Sequence, residues 1–261
     1  MQRRRGIHRG VYIVPSLVTT IALFLGFYSI IYSLQALRQG HIEFESAVFA
    51  LIMAGVFDNL DGRIARLMKV ESEFGVQYDS IADMVSFGIA PAILVYSFAL
   101  IDLDRLGWFG AFLYLACAGI RLARFNVITK ELPSKKYFKG MSSPIAAGGL
   151  GVCMLMLNQF VTGKTFAYAC LAMTLFFAML MVSNVRFRTF KDLDFKKHPF
   201  QYFLLIVVAM ASVFVFKELA LFVIFSLYLL TGIIEEIWLW TRRRRSDPNV
   251  PFLPFGDRDA D

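Results

Sequence analysis

The chain has 261 residues, 57% of them hydrophobic and only 18% charged, and carries a net charge of +7. With a mean hydropathy of +0.59, that balance excludes an ordinary soluble domain and points to a polytopic membrane protein. Cys117, Cys153 and Cys170 stand far apart in sequence inside apolar runs, so no disulfide framework is expected and they read as small core residues.

Residues 1–10 form a basic arm with Arg3, Arg4, Arg5 and Arg9. The apolar segment that follows is long and has no small-x-small cleavage pattern, so it is expected to stay as a first span. Eight apolar runs, at 15–35, 44–60, 84–101, 107–120, 144–160, 165–183, 200–216 and 219–240, are expected to cross a bilayer as helices, the shorter ones with their polar flanks. Pro15 suits a first helical turn, where its missing N–H has no partner to lose. The second run turns polar at Asp58, and its helix is expected to continue through Lys69. A short connection at 70–74 returns the chain, with Gly75, Asp79 and Asp83 leading into the third span. Pro91, inside that apolar run, predicts a kink tolerated where a neighbouring helix pairs the freed carbonyl. Ala82, Ser86, Gly88 and Ala90 are small enough for close helix contact. An outer loop is expected at 102–106 and cytoplasmic loops at 127–143 and 183–198. Only a brief turn, marked by Asn158, Gln159, Thr162 and Gly163, separates the fifth and sixth spans.

If the N-terminus is cytoplasmic, this layout puts 23 of the 27 Lys and Arg residues on that side, all but Arg38, Arg105, Lys164 and Lys217. The positive-inside rule therefore places both termini in the cytoplasm. The basic flanks also suit anionic lipid headgroups, and the Arg242 to Arg245 run beside a span reads as a stop signal rather than a nucleic-acid patch. No nucleic-acid partner is expected.

Four carboxylates then sit where lipid should be. On a helix Asp58, Asp61, Gly62 and Ala65 share one face by i, i+3, i+4 and i+7 spacing, and Gly75, Asp79 and Asp83 share another by i, i+4 and i+8. Facing each other at the same cytoplasmic depth, two acidic stripes repel unless cations occupy the gap. Solvated helix-end charge explains them poorly, because four acids share two faces at one depth. No histidine or cysteine accompanies them, which argues against zinc; His8, His41 and His198 read as ordinary interfacial residues.

The full spacing, D-x2-D-G-x2-A-R-x8-G-x3-D-x3-D from Asp58 to Asp83, resembles the signature of the CDP-alcohol phosphatidyltransferases, integral-membrane enzymes that move a phosphatidyl group from a CDP-lipid to an alcohol and release CMP. The resemblance implies an all-α membrane bundle with a six-helix core at 11–198; the apolar runs add two additional helices at 199–241, followed by a basic, flexible cytoplasmic tail at 242–261. It implies two divalent cations, Mg2+ or Mn2+, held by Asp58, Asp61, Asp79 and Asp83, with Asp83 also the general base for the acceptor hydroxyl. It further implies that Gly62, Ala65 and Gly75 let the cytidine lie against helix backbone, with Arg66 on a phosphate. The plain alternative for the small residues is helix packing. The flanks from Ser80 to Ala92, at Arg121 to Val127, at Lys139 to Pro144 and at Ser183 to Arg186 are similar to the serine-using branch of the family. That implies CDP-diacylglycerol and L-serine as substrates, membrane lipids as surroundings and a homodimer as the assembly. Arg121, Arg124 and Asn126 become candidates for the serine carboxylate or a donor phosphate, with positive-inside anchoring as the alternative.

Two other readings remain open at this point. A sister activity would use glycerol 3-phosphate or an inositol phosphate, whose dianions call for a denser basic pocket. A divalent-cation transporter would need a path outward, yet 47–56 and 90–100 offer no charged residue.

Overall fold

The computed structural model describes residues 13–39, 44–68, 72–131, 138–183, 185–187, 218–232 and 234. The basic arm, the seventh predicted span, the three histidines and the C-terminal tail lie outside the described residues. Within them the protein is an all-helical membrane bundle with one small strand pair.

Helix α1 (Ile13–Gln39) opens with Pro15 in its first turn. Two of its hydroxyls are satisfied within the helix: Thr19 and Ser33 donate to the carbonyls of Pro15 and Ser29, as an apolar surround favours. Leu17, Phe24 and Phe27 face outward while Ala22 is buried. Helix α2 (Glu45–Met68) buries Ala47, Val48, Leu51 and Ala54 along one face and then carries the acidic stripe without a break, so the expected extension past residue 60 is present.

Ser72 starts helix α3 (Glu73–Asp83), its hydroxyl accepting from the Gly75 amide at 3.0 Å. The helix runs on as a π-helical turn (Met84–Ile89), a short α4 (Ala90–Val95), a second π-helical turn (Tyr96–Leu100) and a 3-10 turn (Ile101–Leu103). Pro91 falls in the first turn of α4, between the two π-helical stretches. In α-helical register it would strip the Phe87 carbonyl of its donor, and the Tyr114 hydroxyl of the next helix donates to that carbonyl over a long 3.5 Å. Small residues bring α1 close here. The Ser86 hydroxyl donates to the Ala22 carbonyl, and a Cβ on Gly26 would lie 2.5 Å from the Ser86 oxygen.

The outer loop expected at 102–106 is shorter than predicted. The chain reverses at Asp104 (φ 46) and enters α5 (Asp104–Glu131) at once. Gly107 permits this, because a Cβ there would fall 2.0 Å from the Leu100 carbonyl oxygen. Helix α5 returns antiparallel along the broken helix, Gly110 near Leu100 and Gly119 near Met84. It also runs to Glu131, so residues 127–131, expected as loop, are helical.

Strands β1 (Phe138–Lys139) and β2 (Arg186–Phe187) pair antiparallel on the side where α5 ends. Gly140 (φ +83) follows β1, its amide donating to the Val185 carbonyl, and the Met141 amide donates to the Leu180 carbonyl. That clasp aims the chain into α6 (Ser143–Asn158), which turns tightly at 159–162 into α7 (Gly163–Val182). The brief turn predicted between these spans is present, with Gly163 at φ +64. Helix α8 (Glu218–Gly232) packs on α6 and α7. Phe225 lies against Gly149, where a Cβ would be 1.9 Å from the ring, and 5.7 Å from the Phe177 ring centre. The Gln159 amide donates to Glu218.

Candidate active site

The α2 and α3 stripes face each other as their spacing predicts. Carboxylate oxygens of Asp58, Asp61 and Asp79 all lie within 4.8 Å of one another. Asp61 is 5% exposed and the other two are half-buried. At that separation each pair repels by about 3 kcal/mol in an effective dielectric of ~20. A divalent cation removes that cost, and hard oxygen donors are what Mg2+, Mn2+ or Ca2+ take. One atom tests the fit: Asp79 Oδ1 is buried and has no hydrogen-bond partner among the described residues, a position that a bound cation would satisfy.

Asp83 lies one turn deeper on α3, outside the triad. Its carboxyl contacts that of Asp58 through a hydrogen bond and feels the charge of Asp79. The four acids thus form one cluster in which three converge on a point and the fourth flanks it. Gly62 and Ala65, half-buried, continue the α2 face, and Arg66 follows on the same helix. Gly75 sits at the start of α3 with its amide tied to Ser72.

The three polar residues of α5 go to different places. Arg121 lies within electrostatic reach of Asp83 and Asp58. Its Nη1 donates to Ser143 Oγ at 2.5 Å and its guanidinium lies 5.8 Å from the Phe125 ring centre. Arg124 donates to the Val182 carbonyl at the end of α7 at 3.3 Å, a C-terminal helix contact that complements the local dipole. Asn126 donates to Ser80 Oγ at 2.9 Å, beside Asp79 in sequence. Arg121 thus acts on Asp83 and Asp58, whereas the hydrogen bond of Arg124 runs to α7, although i and i+3 spacing makes the two look equivalent.

Sequence reasoning assigns no role to Ser143, Tyr114 or Ser80. Tyr114 is buried within electrostatic reach of Arg121. Its i and i+7 relation to Arg121 is a signal the sequence carries. Ser143, directly before Pro144, reads as a helix start, but its contact with Arg121 spans 22 residues and depends on the fold.

The sequence matches the CDP-alcohol phosphatidyltransferase family over residues 12–181. A relative from Helicobacter pylori (strain J99) is 35% identical over 235 residues, covering 89% of this chain and 94% of its own. One from Mycobacterium leprae is 29% identical over 233 residues, 87% of this chain and 72% of its own. One from Bacillus subtilis is 37% identical over 147 residues, 56% of this chain and 76% of its own. Each of the three bears the name CDP-diacylglycerol–serine O-phosphatidyltransferase.

Proposed function

The chain belongs to the CDP-alcohol phosphatidyltransferase family, and from that premise we infer that it transfers the phosphatidyl group of CDP-diacylglycerol to the hydroxyl of L-serine, releasing CMP. The observation that carries the chemistry is the convergence of Asp58, Asp61 and Asp79 within 4.8 Å beside Asp83. The common name of relatives that align along most of the chain supports serine as the acceptor.

Asp58, Asp61 and Asp79 would hold divalent metal, with Asp83 completing the set toward a second ion. Bound there, the cations supply neutralising charge for the pyrophosphate as it cleaves. Asp83 takes the proton of the serine hydroxyl. The freed oxygen bonds to the phosphorus that carries diacylglycerol, the bond from that phosphorus to the CMP oxygen breaks, and CMP departs with the electron pair. The half-buried Gly62 and Ala65, with Gly75, leave room for the nucleotide against helix backbone, and Arg66 serves a phosphate. Arg121 is the cation that faces the reacting end of the site, and Asn126 and Arg124 brace α5 against α3 and α7.

In this reading 1–10 is a cytoplasmic arm, 11–198 the catalytic core, 199–241 two further spans and 242–261 a cytoplasmic tail. The enzyme crosses the inner membrane eight times as a homodimer, with both termini and the site on the cytoplasmic side, where serine arrives from water and CDP-lipid from the bilayer. Purified protein given CDP-diacylglycerol, L-serine and Mg2+ or Mn2+ is expected to release CMP and form phosphatidylserine. CMP release with glycerol 3-phosphate but not with serine would transfer the assignment to a sister activity. Metal uptake by proteoliposomes without CMP chemistry would favour transport.

A further inference from the structure

An acceptor that reacts at Asp83 must bring its other charged groups close to that carboxyl. L-serine carries its carboxylate on the carbon next to the one bearing the hydroxyl, so the cation that receives it must stand beside the base. Among the described residues Arg121 meets that condition. It is half-buried and its charge acts on both Asp83 and Asp58, and a hydrogen bond of Arg124 runs to the end of α7.

A free arginine beside two carboxylates would swing onto them and pair with the acids instead of facing a ligand. Here the guanidinium is also held by α6. Nη1 donates to Ser143 Oγ, and Ser143 is 0% exposed, fixed as the first residue of α6. Its position is set in turn by the clasp: Gly140 donates to Val185 and Met141 to Leu180, while Ala146 donates back to Ser142. The Phe125 ring under the guanidinium limits its remaining freedom. Because the guanidinium is a planar fork, one N–H edge can be anchored while another faces the ligand.

We propose that Ser143 is a positioning residue that sets acceptor choice, anchoring Arg121 so that its guanidinium takes the carboxylate of an amino-acid acceptor next to Asp83. The proposal rests on the phosphatidylserine synthase reading and deepens it: the substrate class is an α-amino acid with a β-hydroxyl, and the recognised group is the carboxylate. Arg121 touches the acceptor and Ser143 acts only through Arg121.

The test is a steady-state comparison of wild type and Ser143→Ala in detergent micelles with Mn2+, varying L-serine and CDP-diacylglycerol separately. The expected result is a rise on the order of tenfold in KM for serine, the loss of one charge-assisted hydrogen bond. KM for CDP-diacylglycerol and the melting temperature should stay as in wild type. Inhibition by O-methyl-L-serine, which keeps the carboxylate but has no hydroxyl to react, should weaken by the same factor, and Ser143→Thr should restore both. An unchanged serine KM, or an equal rise for both substrates, overturns the proposal. Should Ser143→Ala fail to yield folded protein, Arg121→Lys keeps the charge and loses the fork, and must give the same split; a fall in kcat alone would overturn it. Absence of serine-dependent CMP release from wild type would instead remove the synthase reading, so the two failures are distinct.

Discussion

Asp79 and Asp83 are one helical turn apart and stand in different surroundings. Asp79 has a buried oxygen with no partner among the described residues and lies in the triad with Asp58 and Asp61, while Asp83 makes a hydrogen bond with Asp58. Removing the base should stop chemistry without emptying the site. Asp83→Asn is expected to lower CMP release by at least ~100-fold, within the range of general-base catalysis, while CDP-diacylglycerol still binds; turnover near the wild-type level would strip Asp83 of the role. Asp79→Asn should behave otherwise, because a neutral amide weakens the cation. A titration of activity with Mn2+ is expected to need roughly tenfold more metal, with partial recovery at saturation. Chelation of wild type should abolish CMP release and added Mg2+ or Mn2+ should restore it. Activity that survives exhaustive chelation would contradict the metal assignment.

At the scale of the element, the sequence carries the helical faces far better than the joints. The i, i+3 and i+4 arithmetic on Asp58 to Asp83 needs only the helical repeat, and the two stripes meet accordingly. The same is true of the long apolar runs: α1, α6 and α7 lie close to their predicted bounds. Pro91 announces a disturbance but not its form, because the register of the helix is chosen by the neighbours that pair the freed carbonyl, here Tyr114. The reversal at Asp104 depends on a backbone approach to Gly107 that no local propensity encodes. The Arg121 to Ser143 contact is hidden for the same reason, since i, i+3 periodicity treats Arg121 and Arg124 alike and only packing separates them. Gly140 offers a direct check on the clasp. A Cβ there would meet the Met181 carbonyl oxygen at 2.4 Å in a left-handed backbone, so Gly140→Ala should cost about 1–2 kcal/mol from backbone conformation alone. A lower melting temperature in detergent is the expected observation; an unchanged one would mean that the clasp yields without cost.

For the whole molecule, the helix directions make a topological statement. Ser72, where α3 starts, and Asp102, where the chain turns into α5, stand at opposite ends of one broken helix. In a background with Cys117, Cys153 and Cys170 replaced, a cysteine at 102 should react with an impermeant maleimide added outside intact spheroplasts. A cysteine at 72 should react only after permeabilisation, and the reverse pattern would invert the orientation. The docking of α8 through Phe225 onto Gly149 ties the C-terminal part to the core on the α6 and α7 side, whereas the acids stand on α2 and α3. The acids themselves all come from α2 and α3, both packed on α1, and this has a consequence for biogenesis. A chain made from the N-terminus completes Asp58 to Asp83 within its first three helices, well before Arg121 and Ser143 leave the ribosome. The acidic half of the proposed site is thus laid into the membrane first. The half that carries Arg121 and Ser143 arrives later, when α5 and α6 fold onto helices already in place.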